Sequence, residues 1–129
     1  PRPSARVYAA DPAPPAPLSA SLPAGRPVRF DGWTASFVDG AGGKSVLPTM
    51  WPLLKNLVDG SIVMRLDDIA SAMRKTAERV HVVAEGAAGT AIAAALSGRA
   101  GTGKVVAVVS GGNIDLSRFS ELVSAHAAI

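Results

Sequence analysis

Three short stretches carry residue types that could do chemistry. Ser110-Gly111-Gly112-Asn113 joins an apolar run at 104–109 to a segment with helical periodicity. Its hydroxyl, carboxamide and glycines would let a ligand reach the backbone beside a helix N-terminus. The same four residues also make an ordinary tight βα turn, with Ser110 bonding local backbone and Asn113 left-handed, and spacing alone leaves both readings open. Glu85 follows the apolar run 80–84, so its carboxylate is either partly buried against a partner or emerging at a sheet edge. The stretch 31–44 (DGWTASFVDGAGGK) sets four glycines among Trp33 and Phe37, a mixture of backbone freedom and large apolar anchors that suits a loop lining a site.

Other stretches only imitate chemistry. Residues 98–104 (GRAGTGK) have phosphate-loop spacing, but Val105 stands where the magnesium-binding hydroxyl belongs, and the loop follows a helix and precedes a strand. A phosphate loop needs the opposite order, so Lys104 reads as a solvated charge ahead of a buried strand. His81 sits inside an apolar run without a carboxylate at useful spacing and reads as a core or edge residue, and His126 is far from it. With no cysteine in the chain, disulfides and thiolate metal sites are excluded and a zinc site is not expected.

The elements that must position these residues read as alternating strands and helices. Residues 6–10 (RVYAA) form a β-prone run that should end at Asp11-Pro12, and the six prolines between 12 and 27 read as a surface connection with at most a turn at 18–22. Val46, Met50, Leu53, Leu54, Leu57 and Val58 recur at helical spacing, ending near Asp59-Gly60. A strand at 61–65 leads into a helix on Ile69, Met73, Ala77 and Val80, with Asp67 placed as its N-cap. A strand at 80–84, a small-residue helix over 87–98, a strand at 104–109 and a helix capped by Asp115 on Leu116, Phe119, Leu122 and Val123 follow. Such alternation predicts an α/β fold with a mostly parallel sheet, helices on both faces, and ligands outside the strands' carboxyl ends.

The chain of 129 residues has the size of one domain, with 48% apolar and 18% charged residues. A formal charge of +3 is scattered from Arg2 to Arg118 without a dense run, which argues against nucleic acid as partner. Apolar stretches are broken well before the roughly 20 residues of a membrane helix, so no membrane is expected and a cytoplasmic location is the default. The chain opens on Pro1 without an initiator methionine, just before a strand, and reads as truncated.

Taken in order, ARVYAADPA, SFVDGAGGK, PLLKNLVDG, DDIASAM, VVAEGAAGTAIAAALSG and KVVAVVSGGNID resemble the C-terminal part of the threonine dehydratase and serine racemase branch of fold-type II pyridoxal-phosphate enzymes, within the tryptophan synthase beta-like superfamily. The resemblance covers almost the whole chain, 1–129, as part of that family's three-layer large domain, with SGGNID at 110–115 as its most specific block. It implies that Ser110 offers its hydroxyl to the pyridine nitrogen of pyridoxal phosphate, that Gly111 supports the ring's edge, and that Gly40 of the Asp39-Gly40-Ala41 loop lies beside the cofactor. Glu85 matches the family's glutamate facing the same site. A hydroxyl partner does not keep that nitrogen protonated, which favours β-elimination over transamination and points to deamination of serine or threonine.

Two departures accompany the resemblance. The Schiff-base lysine and the phosphate cup lie in family sequence with no counterpart here, none of Lys44, Lys55, Lys75 or Lys104 having the matching context, so the chain alone should be catalytically silent. It would need an N-terminal segment or companion chain, in an enzyme expected to be a homodimer. The family's divalent-cation site would use Asp11, but its second acid falls near Pro17. The competing readings are a non-catalytic α/β module binding an amino acid or anion at the Ser110 loop, and a partner-binding remnant whose sheet edge another protein covers.

Overall fold

The computed structural model describes residues 4–125; Pro1, Arg2 and His126 lie outside them. The element order is β1 (Tyr8–Ala13), α1 (Pro17–Ala24), α2 (Trp51–Leu57), β2 (Gly60–Arg65), α3 (Leu66–Val80), α4 (Gly86–Leu96) and α5 (Leu116–Ala125). The two strands pair in parallel, in register from Tyr8 opposite Gly60 to Ala13 opposite Arg65. Helices α1, α3 and α4 pack on this pair, and α5 packs on α3. Among the described residues no helix is long and apolar enough to cross a membrane.

The larger core joins Ile62 and Met64 of β2, Ile69, Ala72 and Met73 of α3, Ala93 and Ala94 of α4, and Val38 from the long loop. The small residues of α4 let it approach α3 closely: a Cβ at Gly89 would stand 2.6 Å from Met73 Cγ and 3.2 Å from Ile69 Cγ2. Seating Val38 in this core fixes the glycine-rich loop from below, because burying an aliphatic side chain is worth about 1.5–3 kcal/mol. A smaller cluster of Leu18, Val46 and Trp51 binds α1 to α2.

Several expectations are corrected. The first strand runs through Pro12 to Ala13 instead of stopping, which is tolerated because β1 pairs on one edge only and proline's missing N–H costs nothing on an unpaired edge. The proline-rich connection contains an eight-residue helix: Pro17 takes a first-turn position, where its missing donor is not needed, and Pro23 falls in the last turn. Helix α2 is shorter than its periodicity suggests and starts only at Trp51, just before Pro52. Asp67 lies inside the first turn of α3, paired with Arg65 at 3.1 Å, while Arg65 occupies the cap position.

The strands expected at 80–84 and 104–109 do not join the sheet. Val80 ends α3, His81 is its left-handed cap at φ 59°, and the residues after it carry no ladder. Residues 104–109 are likewise outside any ladder, and Val106 and Val108 are 88% and 70% exposed. Their apolar, β-branched character is that of a strand buried on both faces, but the hydrogen-bonding partners such a strand requires are not among the described residues.

Candidate functional site

The loop before α4 and the loop before α5 meet. The Glu85 N–H donates to the Gly111 carbonyl at 3.1 Å, joining the ends of the two unladdered apolar runs side by side. The Glu85 side chain lies directly on Gly111, so that a Cβ there would collide with its carboxylate, and a Cβ on Gly112 would stand 2.5 Å from the Val83 carbonyl oxygen. Neither glycine has a positive φ, and His81 is the one non-glycine that does among the described residues. Asn113 is therefore not left-handed, as the plain-turn reading required. Gly111 and Gly112 are needed for space, to let two loops lie against each other.

The glycine-rich loop completes the arrangement. Phe37 and Val38 run under the start of α4, where a Cβ on Gly86 would stand 2.6 Å from the Phe37 carbonyl oxygen. Gly40 follows, with its Cβ position 3.2 Å from Ala87 Cβ and 4.0 Å from the Glu85 carboxylate. A Gly42 N–H to Asp39 carbonyl bond of 3.3 Å folds the loop tip, and the Trp33 indole donates to the Gly42 carbonyl at 2.6 Å. Ser110, Gly111, Glu85 and Gly40 thus stand in one neighbourhood, built from three loops distant in sequence.

Beside them opens a crevice of about 310 Å³ lined by Phe37, Asp39, Glu85, Asn113, Asp115 and Arg118, with Ile114 in its wall. The sequence reading took Asp115 only as the helix cap and did not place Arg118 at a site; the available signal was their spacing of three across the start of α5. Three carboxylates line the crevice against one guanidinium, and Arg118 is itself paired with Glu121 at 3.1 Å. The wall is thus acidic on balance, which disfavours a phosphate there.

The donor set fits one side of pyridoxal phosphate. Ser110 is exposed at the end of the apolar run, and among the described residues no hydrogen bond engages its hydroxyl. At Gly111 the space that a side chain would fill is taken by the Glu85 carboxylate. No lysine lines the crevice: Lys44 lies over the Trp33 ring at 4.8 Å, Lys75 and Lys104 border other hollows, and Lys55 sits in the last turn of α2.

Asp11, the metal ligand that the resemblance implies, is engaged within the fold. The residue is only 8% exposed, and its carboxylate accepts the Ser19 N–H at 2.8 Å and the Ser61 hydroxyl at 2.9 Å, tying the first turn of α1 to β2. Burial raises its pKa above the ordinary aspartate value, and the hydrogen bonds from Ser19, Ser61 and Leu18 only partly oppose this. Among the described residues no group of three or more acidic or histidine side chains could hold a metal ion.

The family model described as pyridoxal-phosphate dependent enzyme matches residues 1–111. The catabolic L-threonine dehydratase TdcB of Escherichia coli is 36% identical over 93 residues, a match covering 69% of this chain and 28% of that protein. The L-threonine ammonia-lyase of Thermotoga maritima is 35% identical over 108 residues, covering 83% of this chain and 27% of the relative. The structure of maize serine racemase superposes with a TM-score of 0.78 and 29% identity, covering 94% of this chain and 40% of that one. The chain thus spans little more than a quarter of the length of the curated relatives it matches.

Proposed function

The chain belongs to the pyridoxal-phosphate dependent enzyme family, and on that premise we propose that it is the C-terminal part of the large domain of a lyase that deaminates serine or threonine to a 2-oxo acid and ammonia. The observation that carries the reading is the convergence of three loops: Glu85 N–H bonded to the Gly111 carbonyl, and Gly40 beside the Glu85 carboxylate. Gly111 leaves room for the Glu85 carboxylate and Gly112 for the Val83 carbonyl, so both glycines serve the meeting of the two loops.

Bound pyridoxal phosphate supplies the electron sink for loss of a β-hydroxyl. The Ser110 hydroxyl would donate to the pyridine nitrogen without giving it a full proton, with Gly111 in the same turn and Gly40 on the facing loop beside the Glu85 carboxylate. The crevice is lined by three carboxylates and one guanidinium and by no lysine, so on this reading the phosphate cup and the Schiff-base lysine would belong to the remainder of the enzyme. The reading carries with it a homodimer, and a cytoplasmic location as the default that the sequence leaves. Absence of a lysine from the crevice is also what a non-catalytic module binding an amino acid would present, and the two readings part on turnover.

The test is complementation. The portion of the Thermotoga maritima ammonia-lyase outside the matched stretch is mixed with this chain, pyridoxal phosphate and either serine or threonine, with that relative's own matched fragment as reference. Release of ammonia from the mixture and from neither part alone is expected. Cofactor binding without turnover would favour the non-catalytic module.

A further inference from the structure

Phe37 and Val38 fix the inner end of the glycine-rich loop, under the start of α4 and in the larger core. Its outer end is closed at the base: the Phe30 N–H donates to the Lys44 carbonyl at 2.7 Å, and Arg29 faces Ser45 in an antiparallel bridge. Between the two ends lie residues 39–43, of which three are glycine. Each glycine widens the range of backbone conformations open to the span, so a single conformation there has to be held by contacts. Ala41 leans half-buried on the larger core, and the Gly42 N–H reaches the Asp39 carbonyl only at 3.3 Å. The short bond on this span is the one from outside it, the Trp33 indole N–H to the Gly42 carbonyl at 2.6 Å.

Trp33 takes little part in the packing of the fold. Among the described residues it belongs to neither apolar cluster, and it is 37% exposed. Both its polar edge and its face are nevertheless engaged, the N–H by Gly42 and the ring by Lys44, whose Nζ lies 4.8 Å from the centroid. Lys44 follows the glycines directly, so the ring is clasped by the same loop that it holds. The tip is folded tightly onto the anchored end, since a Cβ on Gly42 would stand 2.6 Å from the Val38 carbonyl oxygen. Two residues back along the chain, the Cβ position of Gly40 is 4.0 Å from the Glu85 carboxylate. A grip on Gly42 therefore bears on how near Gly40 stands to Glu85.

We infer that Trp33 is a positioning residue for the cofactor wall: through Gly42 it holds Gly40 against Glu85, with Lys44 seated on its ring as a lock. The inference rests on the proposed function, because Gly40 is the residue of this loop that the resemblance puts beside pyridoxal phosphate. Trp33 acts through the loop and not on the reacting atoms. Its loss therefore shows in the order of residues 40–43 and in cofactor affinity, and less in turnover once cofactor is saturating.

Trp33→Phe tests it, keeping an aromatic face for Lys44 and removing the N–H. In the full chain alone, backbone order parameters from ¹⁵N relaxation should fall at residues 40–43 to below about 0.6, while those of β2 and α3 stay as they were. In the mixture with the complementing portion of the Thermotoga maritima ammonia-lyase, the pyridoxal phosphate concentration for half-saturation should rise about three- to tenfold, as for one lost hydrogen bond, and turnover at saturating cofactor should fall by less. Lys44→Gln, which leaves the indole bond in place, should move both readouts the same way and by less. Unchanged order at 40–43 in Trp33→Phe would overturn the inference. A loosened loop with unchanged half-saturation would also overturn it and leave the lyase reading standing. Loss of order throughout the chain would make Trp33 a residue of the fold, again overturning the positioning role. An unmodified mixture that binds no cofactor, where the relative's own fragment does, would sink the lyase reading and the positioning role with it.

Discussion

Gly86, Gly89, Gly111 and Gly112 are glycines of close approach, but what each approaches differs, and so does the cost of adding a methyl. A Cβ on Gly86 would press on the Phe37 carbonyl and on Val38 Cα at 2.9 Å, both backbone, whereas on Gly89 it would meet only side chains, Met73 from Cγ outward and Ile69 Cγ2. Gly86→Ala should therefore destabilise the chain by about 1–3 kcal/mol and loosen the 37–43 loop, while Gly89→Ala should cost less because Met73 can turn aside. Urea denaturation of both variants checks the order; equal losses would contradict it. Asp11 makes a second residue-level claim. Its raised pKa means that the folded chain binds the proton more tightly than the unfolded chain, so its contribution makes stability fall as pH rises from the ordinary aspartate value through the raised one. Asp11→Asn should flatten that segment of the pH–stability curve. Asp11→Ala, which leaves the Ser19 N–H without its acceptor, should cost about 1–2 kcal/mol.

At the scale of elements, α5 is the least anchored helix: none of its residues is fully buried, and Arg74 of α3 reaches it by donating to the Val123 carbonyl at 3.1 Å while also pairing with Glu78 at 2.6 Å. Arg74→Ala should speed amide exchange across α5 several-fold and leave α3 and β2 unchanged; uniform acceleration would show global destabilisation instead. The elements also mark how far the sequence could be read. Helices α3, α4 and α5 and strand β2 were legible because their apolar spacing is periodic and their ends are punctuated by glycine or acids. Helix α1 was not, since proline content outweighs everything else there and the remote carboxylate that holds its first turn, Asp11, lies on another element. The runs 80–84 and 104–109 have strand composition, but a ladder needs a partner and the pattern of one segment does not say where that partner is. The convergence of Ser110, Glu85 and Gly40 was legible through the resemblance and the strand-end rule, whereas Asp115 and Arg118 entered the crevice only once α5 was placed.

Taken whole, the molecule combines a well-packed half and an unfinished one. β1, β2, α3 and α4 enclose a core in which Ile69, Met73, Ala70 and Ala88 are completely shielded, yet Val82, Val83, Val105, Val106, Val108 and Val109 remain open to solvent. The three site loops stand at the border between the halves, and on the proposed reading they form one wall of a cofactor site whose lysine lies elsewhere. The most direct measurement is a titration of pyridoxal phosphate, followed by its visible absorbance and by ammonia release, into this chain alone, into the chain with the complementing portion, and into the same mixture carrying Ser110→Ala. The chain alone should give neither signal and the mixture both. Ser110→Ala should weaken cofactor affinity and turnover by an amount worth about 1–3 kcal/mol. Unchanged affinity and turnover in that variant, or lysine-bound cofactor on the chain alone, would contradict the assignment of the Ser110 loop as the wall that holds the ring.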